Sequence, residues 1–587
     1  MSSKSSRNIK SELRTPKSER KQVFLKQYYD EDTYNQIKEE LPEIVKTAER
    51  AAADLLEPTV SEKWKVIDSI KEFLRENPRK VYGGSGLNEA LKVVNENDAI
   101  YDHYNFGDIE FYSYTPISDL IKLCNYLHDQ GYQYVVGSEA QHEGTYKVFV
   151  NMTDFCDISY MPEEIYTHIK TIKIDGIDYV HPHFALIDQL KMFTNPLTAA
   201  WRWEKTFKRH NLLLKDYPLE NFDKPIKIDK VDNETEKYFN MIMNEYMIEP
   251  ESKKADILSG FVAYNFFIRT AAGSMNSDEK QARVNHQSRP SNDLSKMTVN
   301  LPYVEILSVD YVNTVKRLFN YIKRISNRDP TIDEYFPFIQ YINYSCHIKL
   351  GDQIIARVIE GNGSCTSYIQ VNSGKTYVCY QYLWANLLIE KFYAHVRNDQ
   401  QSYFNYGSAV SNLIKARNIY LKEHNIGPLD DSVFKEFKVT CKGNTVSYER
   451  LSKIRQLERK LSGKPPLRYK PEDTKQRESI HAYVTYHQAH MPNISGEQIR
   501  NPKQAQFVIA EGHIMENKQS EINLEKNENF GISEPEINLG IDNGQVEQGV
   551  QIAEAINATS VSVGQGFAGG ENDELDQLEE INSDDFI

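Results

Sequence analysis

Apolar residues recur at two different periods along this 587-residue chain, and the changes of period mark its elements. Over residues 31–77 they fall three or four apart, which predicts helices. Val81 and Tyr82 then read as the end of a short strand, and Gly83, Gly84, Ser85 and Gly86 as a tight turn. Leu87, Ala90, Leu91 and Val94 follow at helical spacing. In FGDIEFY the period drops to two, so Asp108 and Glu110 project from one strand face, roughly 6 to 7 Å apart. Thr115 and Pro116 suit an N-cap and a first helical residue, ahead of an apolar stripe at Ile117, Leu120, Ile121, Cys124 and Leu127. A further strand starts at Tyr132, and Lys147–Tyr160 carries more strand pattern.

Residues 231–480 read as a second globular unit, opening with helices and continuing through strand-like runs at 300–309, 341–359, 366–371 and 376–383. It has no second Gly-Gly-Ser and no second Asp-x-Glu, which predicts a non-catalytic domain. The glycines at 361–365 read as a hairpin turn. Residues 481–514 connect this unit to a tail, 515–587, dominated by Asn, Gln, Gly, Asp and Glu and expected to be disordered. Residues 1–30 form a basic, flexible arm, with eight Lys or Arg against two acids in the first 26.

Charge changes the picture only when it is divided. The chain carries a net −15, and from Ile514 onward 17 acids face two lysines, so the tail accounts for all of it. A balanced body can bind RNA whatever the overall pI. Lys435–Arg477 holds thirteen Lys or Arg against five acids, with Phe437, Tyr448 and Tyr469 among them. Cations neutralise backbone phosphate while rings stack bases, so this segment is a candidate single-stranded RNA path, with Lys453, Arg455, Arg459 and Lys460 as its contacts. A solvated helix face is the alternative. Six cysteines without a Cys-x-x-Cys pair read as reduced thiols. No apolar run reaches the roughly 18 residues of a membrane span, and the N-terminus lacks a signal-peptide core, so the expected compartment is intracellular.

The candidate chemistry lies in the acids. Asp108 and Glu110 can share a hard divalent cation that keeps positions open for phosphate oxygens; without one they repel and raise each other's pKa. Asp157, in Cys-Asp-Ile-Ser, is a third acid on a later strand. A lone Asp-x-Glu is common by chance, and the preceding turn is what changes its weight. Gly83, Gly84 and Ser85 offer close backbone approach, free N–H groups and a hydroxyl at the positive end of a helix, although no Gly-Lys-Ser/Thr follows as in a Walker A loop. Arg202, Lys205 and Arg209 form a cationic stripe on the helix after Pro196. His181 and His183 lack a third ligand and read as structural, as does Asp188; Trp201 and Trp203 read as core or capping aromatics.

This order of glycine-serine turn, helix, Asp-x-Glu strand and later acid resembles the nucleotidyltransferase superfamily of DNA polymerase beta. DIEFYSYTPISD, VNMTDFCDISYMP and PHFALIDQLKMFTNPLTAAWRWEKTFKRH are similar to the catalytic poly(A) polymerases of large cytoplasmic DNA viruses, most of all the giant-virus members. The likeness spans residues 80 to 215. Two departures stand out: NENDAIYDHYNF is surplus between Ser85 and Asp108, and Glu110 stands where many relatives carry Asp. The resemblance implies an α+β chain, with a helical segment at 31–78, a catalytic nucleotidyltransferase fold at 79–230 and a degenerate second copy. It implies template-independent transfer of AMP from ATP to RNA 3′ ends. Asp108, Glu110 and Asp157 would hold two Mg²⁺ or Mn²⁺ ions, and Gly83, Gly84, Ser85, Arg202, Lys205 and Arg209 the ATP phosphates. It also implies a homodimer or a processivity subunit, in host cytoplasm and virion. CCA-adding, uridylyl- or oligoadenylate-forming activity, or a non-catalytic RNA-binding role, are the alternatives.

Overall fold

The computed structural model describes residues 28–275, 278, 280, 291–361, 363–461, 467–478, 480–489, 491–510 and 513–516. The expected basic arm up to residue 27 and the expected tail from 517 lie outside the described residues, while the first two residues of that tail, Met515 and Glu516, belong to a strand, His513–Glu516, and are not disordered.

Two helices, α1 (Glu31–Leu55) and α2 (Val60–Glu76), fill the predicted helical segment. A capping box between Thr59 and Glu62 starts α2, which buries Val66, Ile67, Ile70, Phe73 and Leu74 at helical spacing. The first sheet then builds from β1 (Lys80–Tyr82), α3 (Gly83–Val94), β2 (Ile109–Ser113), α4 (Pro116–Asp129), β3 (Val136–Glu139), β4 (Thr145–Val150), β5 (Thr153–Tyr160), β6 (Thr171–Ile174) and β7 (Ile177–Val180). Helices α5 (Pro182–Phe193) and α6 (Trp203–Asp216) follow. Pro116 opens α4 as expected, but Thr115 does not cap it through its side chain. Its amide donates instead to Ser113 Oγ at 2.9 Å, and Ser113 donates to Asp119, which also holds Arg79.

The strands run in the order β3-β4-β5-β2-β1-β7-β6. A second set repeats that order: β8 (Asp256–Leu258), α7 (Gly260–Ala271), β9 (Val304–Ser308), α8 (Tyr311–Ser326), β10 (Thr331–Tyr335), β11 (Ser345–Leu350), β12 (Gln353–Glu360), β13 (Cys365–Gln370) and β14 (Thr376–Val378) lie as β10-β11-β12-β9-β8-β14-β13. The pairing senses repeat as well. β2 is parallel to β5 and antiparallel to β1, and β9 is parallel to β12 and antiparallel to β8. The second half is therefore a second copy of the first.

At the register where β2 and β5 pair Glu110 with Asp157, β9 and β12 pair Glu305 with Arg357. Arg357 Nη1 lies 3.2 Å from Glu305 and 2.6 Å from Glu390 on α9 (Tyr380–Val396), with all three side chains buried. Tyr303 stands two residues before Glu305, as Asp108 stands before Glu110. A buried cation thus takes the place of the third carboxylate, and two glutamates share one guanidinium.

After α10 (Gln400–His424), the basic segment laces the halves together. Its β15 (Cys441–Gly443) extends the second sheet beside β13; beyond α11 (Tyr448–Leu461), β16 (Arg468–Tyr469) extends the first sheet beside β3. One apolar cluster runs from Leu87, Tyr112 and Phe184 to Ile257, Val304 and Val358, so the two sheets share a core. Val81, Phe111, Val148, Cys156 and Tyr469 pack on the opposite face of the first sheet. Glu110 shares its face of β2 with Tyr112, which sets the acids at the border of the shared core.

Three expectations are corrected. Cys365 and Cys441 form a disulfide between β13 and β15, Cα atoms 5.3 Å apart, while Cys124, Cys156, Cys346 and Cys379 are free and buried. Their separation of 76 residues carries no pairing signal; only the strand register brings them together. The glycines at 361–365 are not a hairpin, because β12 and β13 are not neighbours. The run at 376–383 is strand only to Val378, after which α9 begins at Tyr380.

The buried triad gives a stability prediction. Arg357→Ala leaves Glu305 and Glu390 buried without their cation, and should cost about 3–5 kcal/mol in denaturant unfolding. A loss below about 1 kcal/mol would mean that water reaches the pair.

Candidate active site

Four carboxylates converge where β2 and β5 lie side by side. Asp108 closes the loop before β2 and is exposed; Glu110 and Asp157 are register partners across the parallel pair. Asp154 joins them through a bulge. On β4, Val148 pairs with Cys156 and Phe149 with Asp154, which leaves Phe155 as an extra residue on β5. Residues three apart on a regular strand face opposite sides, and the bulge brings Asp154 back to the side of Asp157. Asp108, Asp154 and Asp157 each present an oxygen within 4.8 Å of the other two. Sequence reasoning missed Asp154 because strict alternation points it away.

Lys147, opposite Asp157 on β4, pairs with Asp154 and lies 3.7 Å from Asp157. Burial disfavours its charge, but the carboxylates of Asp157 and Asp154 outweigh that effect and raise its pKa. Burial pushes Asp157 up to about 7, with Lys147 opposing, and pushes Glu110, helped by Asp108 and Asp157, up to about 8.

Glu110 completes the four from the register position opposite Asp157. Its carboxylate tucks beneath the glycine turn, where Oε2 accepts from the Gly84 amide at 3.1 Å. A Cβ on Gly83 would lie 1.5 Å from that oxygen, and Gly83 has φ +69°, so glycine is needed there twice over. Gly260 of the second copy repeats the arrangement with φ +56° against Glu305. The helix α3 begins at Gly83, so its positive end lies at the turn. Ser85 Oγ is buried without a hydrogen-bond partner and, with Asn88, Tyr101, Phe106 and Gly107, lines a cavity of about 50 Å³ under the loop 95–107.

The cationic stripe divides. Arg209 reaches the turn: its Nη1 lies 3.3 Å from where a Gly84 Cβ would stand, and its Nη2 donates to Tyr101 Oη at 3.1 Å. Arg202 instead lies 4.4 Å over the ring of Trp201, and Lys205 is exposed on α6. Trp201 is 61% exposed, contrary to a core role, though its indole N–H donates to the Thr198 carbonyl at 3.1 Å, whereas Trp203 packs on Phe437 and donates to the Met192 carbonyl. His183 binds the carbonyls of Tyr217 and Pro218 and His181 caps α5, as structural roles require, whereas Asp188 is half-buried, accepts from Gln340 at 3.4 Å and adds its charge to the field on Glu110.

The expected RNA contacts are engaged differently. Arg455 donates to the Gln141 carbonyl at 2.6 Å and pairs with Glu143, and Arg459 pairs with Glu139, so both dock α11 on the first sheet. Lys453 is exposed, and the side chain of Lys460 lies outside the described residues.

An all-oxygen donor set, with Asp157 Oδ1 buried and making no hydrogen bond among the described residues beyond its 3.7 Å ion pair with Lys147, fits a hard divalent cation. Asp108, Asp154 and Asp157 could hold it, with Glu110 on the adjoining register position.

Comparisons with known proteins agree in kind. Residues 68–199 match the family model described as "Poly(A) polymerase catalytic subunit", and residues 233–509 the model described as "APMV, Putative poly(A) polymerase, catalytic subunit, C-terminal". Over 512 residues the chain is 44% identical to the "Putative poly(A) polymerase catalytic subunit" of Acanthamoeba polyphaga mimivirus, covering 84% of this chain and 87% of that one. An African swine fever virus protein of the same name is 25% identical over 159 residues, 26% of this chain and 33% of its own. The crystal structure of the Megavirus polyadenylate synthase superposes with a TM-score of 0.75 at 43% identity, over 83% of this chain and 96% of that one.

The raised carboxylates predict a pH-dependent response to cations. Because Glu110 and Asp157 hold protons more tightly folded than unfolded, their contribution to stability is full below pH about 4 and is lost as pH rises through about 7 to 8. Mn²⁺ should therefore raise the melting temperature more at pH 8 than at pH 6, and Asp157→Asn should shrink that difference. An equal Mn²⁺ shift at both pH values would place the cation elsewhere.

Proposed function

Since the chain belongs to the family of viral poly(A) polymerase catalytic subunits, we propose a residue-level reading of how it moves AMP from ATP to an RNA 3′ end. The observation that carries this reading is the meeting of three aspartate oxygens within 4.8 Å beside a helix that starts at a glycine turn. Asp108, Glu110 and Asp157 hold the divalent ions, Mg²⁺ or Mn²⁺, and Asp154 completes the oxygen set. When bound, such ions neutralise the triphosphate and lower the pKa of the attacking hydroxyl. The turn and Arg209 receive the outer phosphates, where backbone N–H groups and a guanidinium suit anionic oxygens. Lys147 balances part of the charge of the crowded acids. The RNA 3′ hydroxyl attacks the α-phosphate of ATP and pyrophosphate leaves, so alignment and charge balance do the work without a covalent enzyme intermediate.

For RNA, the exposed Trp201 ring with Arg202 over it supplies a stacking platform beside a cation, and Lys453 extends the basic surface. Arg455 and Arg459 act mainly in docking α11. The family name implies a partner, and a homodimer or processivity subunit, working in host cytoplasm and carried in the virion, completes the reading. Among the described residues no helix is long and apolar enough to cross a membrane. The four converged carboxylates count against a relict, non-catalytic site.

Asp108→Asn, Glu110→Gln and Asp157→Asn should each lower adenylate addition to a primer RNA on the order of 10²- to 10³-fold, the scale of losing one transition-state charge contact. Wild-type rates in any two of them would remove the carboxylates from the mechanism.

Trp201→Ala should weaken primer RNA by about 1–3 kcal/mol, the scale of one lost base stack, with the KM for ATP unchanged. Fluorescence anisotropy with a labelled oligonucleotide reads this directly, and unchanged RNA affinity would exclude the platform.

A further inference from the structure

The surplus loop between the glycine turn and Asp108 is held from three sides. Asn88 Oδ1 on α3 accepts from the amides of Ile100 at 2.9 Å and Tyr101 at 3.1 Å. Lys215 on α6 pairs with Asp98. Trp64 on α2 donates to the His103 carbonyl at 2.9 Å, and its ring lies 4.9 Å from that of Phe106.

These ties deliver one hydroxyl to three elements at once. A Cβ on Gly84 would meet Tyr101 Oη at 2.3 Å, a Cβ on Gly107 would meet it at 2.5 Å, and Arg209 Nη2 donates to it at 3.1 Å. The guanidinium of Arg209 also lies 5.4 Å over the Tyr101 ring. Gly84 belongs to the phosphate turn, Gly107 directly precedes Asp108, and Arg209 comes from α6. Neither Gly84 nor Gly107 is left-handed, so the backbone does not demand glycine at either place. Both leave room for Tyr101.

We propose that Tyr101 is a positioning residue for ATP: by touching Gly84, Gly107 and Arg209 together, it sets the spacing between the phosphate turn and the acid-bearing strand and aims Arg209 at the triphosphate. The inference rests on the reading of the turn and Arg209 as the phosphate site. A purely structural ring would tolerate loss of the hydroxyl, since Tyr101→Phe keeps the packing. A positioning hydroxyl would not, because the guanidinium loses the acceptor that fixes it.

The test is steady-state extension of a primer RNA by the full chain, with KM for ATP, KM for RNA, kcat and melting temperature measured for four single variants and one double. Tyr101→Phe should raise the KM for ATP on the order of tenfold, the scale of one hydrogen bond to a charged group, with RNA KM and melting temperature unchanged. Gly107→Ala should do the same by displacing the ring. Its effect should vanish when Tyr101→Ala is already present, because the two act through one contact. An unchanged KM for ATP in Tyr101→Phe, or full additivity of Gly107→Ala with Tyr101→Ala, overturns the inference. Arg209→Ala separates this from the underlying reading: if it leaves the KM for ATP untouched, the phosphate site itself is misplaced. If Arg209→Ala raises that KM while Tyr101→Phe and Gly107→Ala do not, only the role of Tyr101 falls.

Discussion

Like charges held close together are the constraint around which the first half of this chain is organised. Asp108, Asp154 and Asp157 come within 4.8 Å of one another, with Glu110 across the register from Asp157. Such a cluster is costly unless cations or protons compensate. Three features of the chain answer that cost. Lys147 stands among the acids, Glu110 turns toward the Gly84 amide, and the pKa values of Glu110 and Asp157 rise to about 8 and 7. None of these cancels the charge completely. What is left is an excess of negative charge, which in the proposed function divalent cations would offset.

The second copy works as an internal control. Its sheet order, pairing senses and positive-φ glycine repeat those of the first, yet at the place of Asp157 it carries Arg357. With Tyr303 in the place of Asp108 as well, one guanidinium lies between Glu305 and Glu390, and all three of these charged side chains are buried. The same fold thus carries two different charge arrangements, set by the residue opposite the glutamate on the neighbouring strand: a carboxylate in the first copy, a guanidinium in the second.

How much could be read from the sequence follows from how local each feature is. The strand bearing Glu110, Pro116 at the start of α4 and the acid at 157 are set by spacing within a few residues and lie where the pattern puts them, whereas Gly83, Gly84, Ser85 and Gly86, read as a turn ahead of the helix, form the first turn of α3 itself. The repeated fold of residues 256–378 was expected only through resemblance, since Glu305 stands there without the partner acids that make an Asp-x-Glu signal. Asp154 was hidden by a bulge, which breaks the two-residue period without leaving a composition signal. The disulfide, the return of β16 to the first sheet and the ion pairs that occupy Arg455 and Arg459 all join residues far apart in the chain. Periodicity is blind to such contacts, and a basic stretch looks the same whether it meets RNA or a sheet edge.

The division of the cationic stripe shows the same limit at closer range. Arg202, Lys205 and Arg209 share a helical spacing, but Arg202 precedes α6 in a 3-10 turn, where the spacing rule no longer fixes direction. Only Arg209 sits deep enough along α6 to reach the glycine turn, and there it meets a hydroxyl supplied by the surplus loop. An insertion that looked like a departure from the pattern thus lies against the turn and the acid strand together. Because α2, α3 and α6 each hold it, the loop ties the helices flanking the first sheet to the residues nearest the acids. Packing far from the carboxylates can in this way bear on their spacing, which local sequence alone could not reveal.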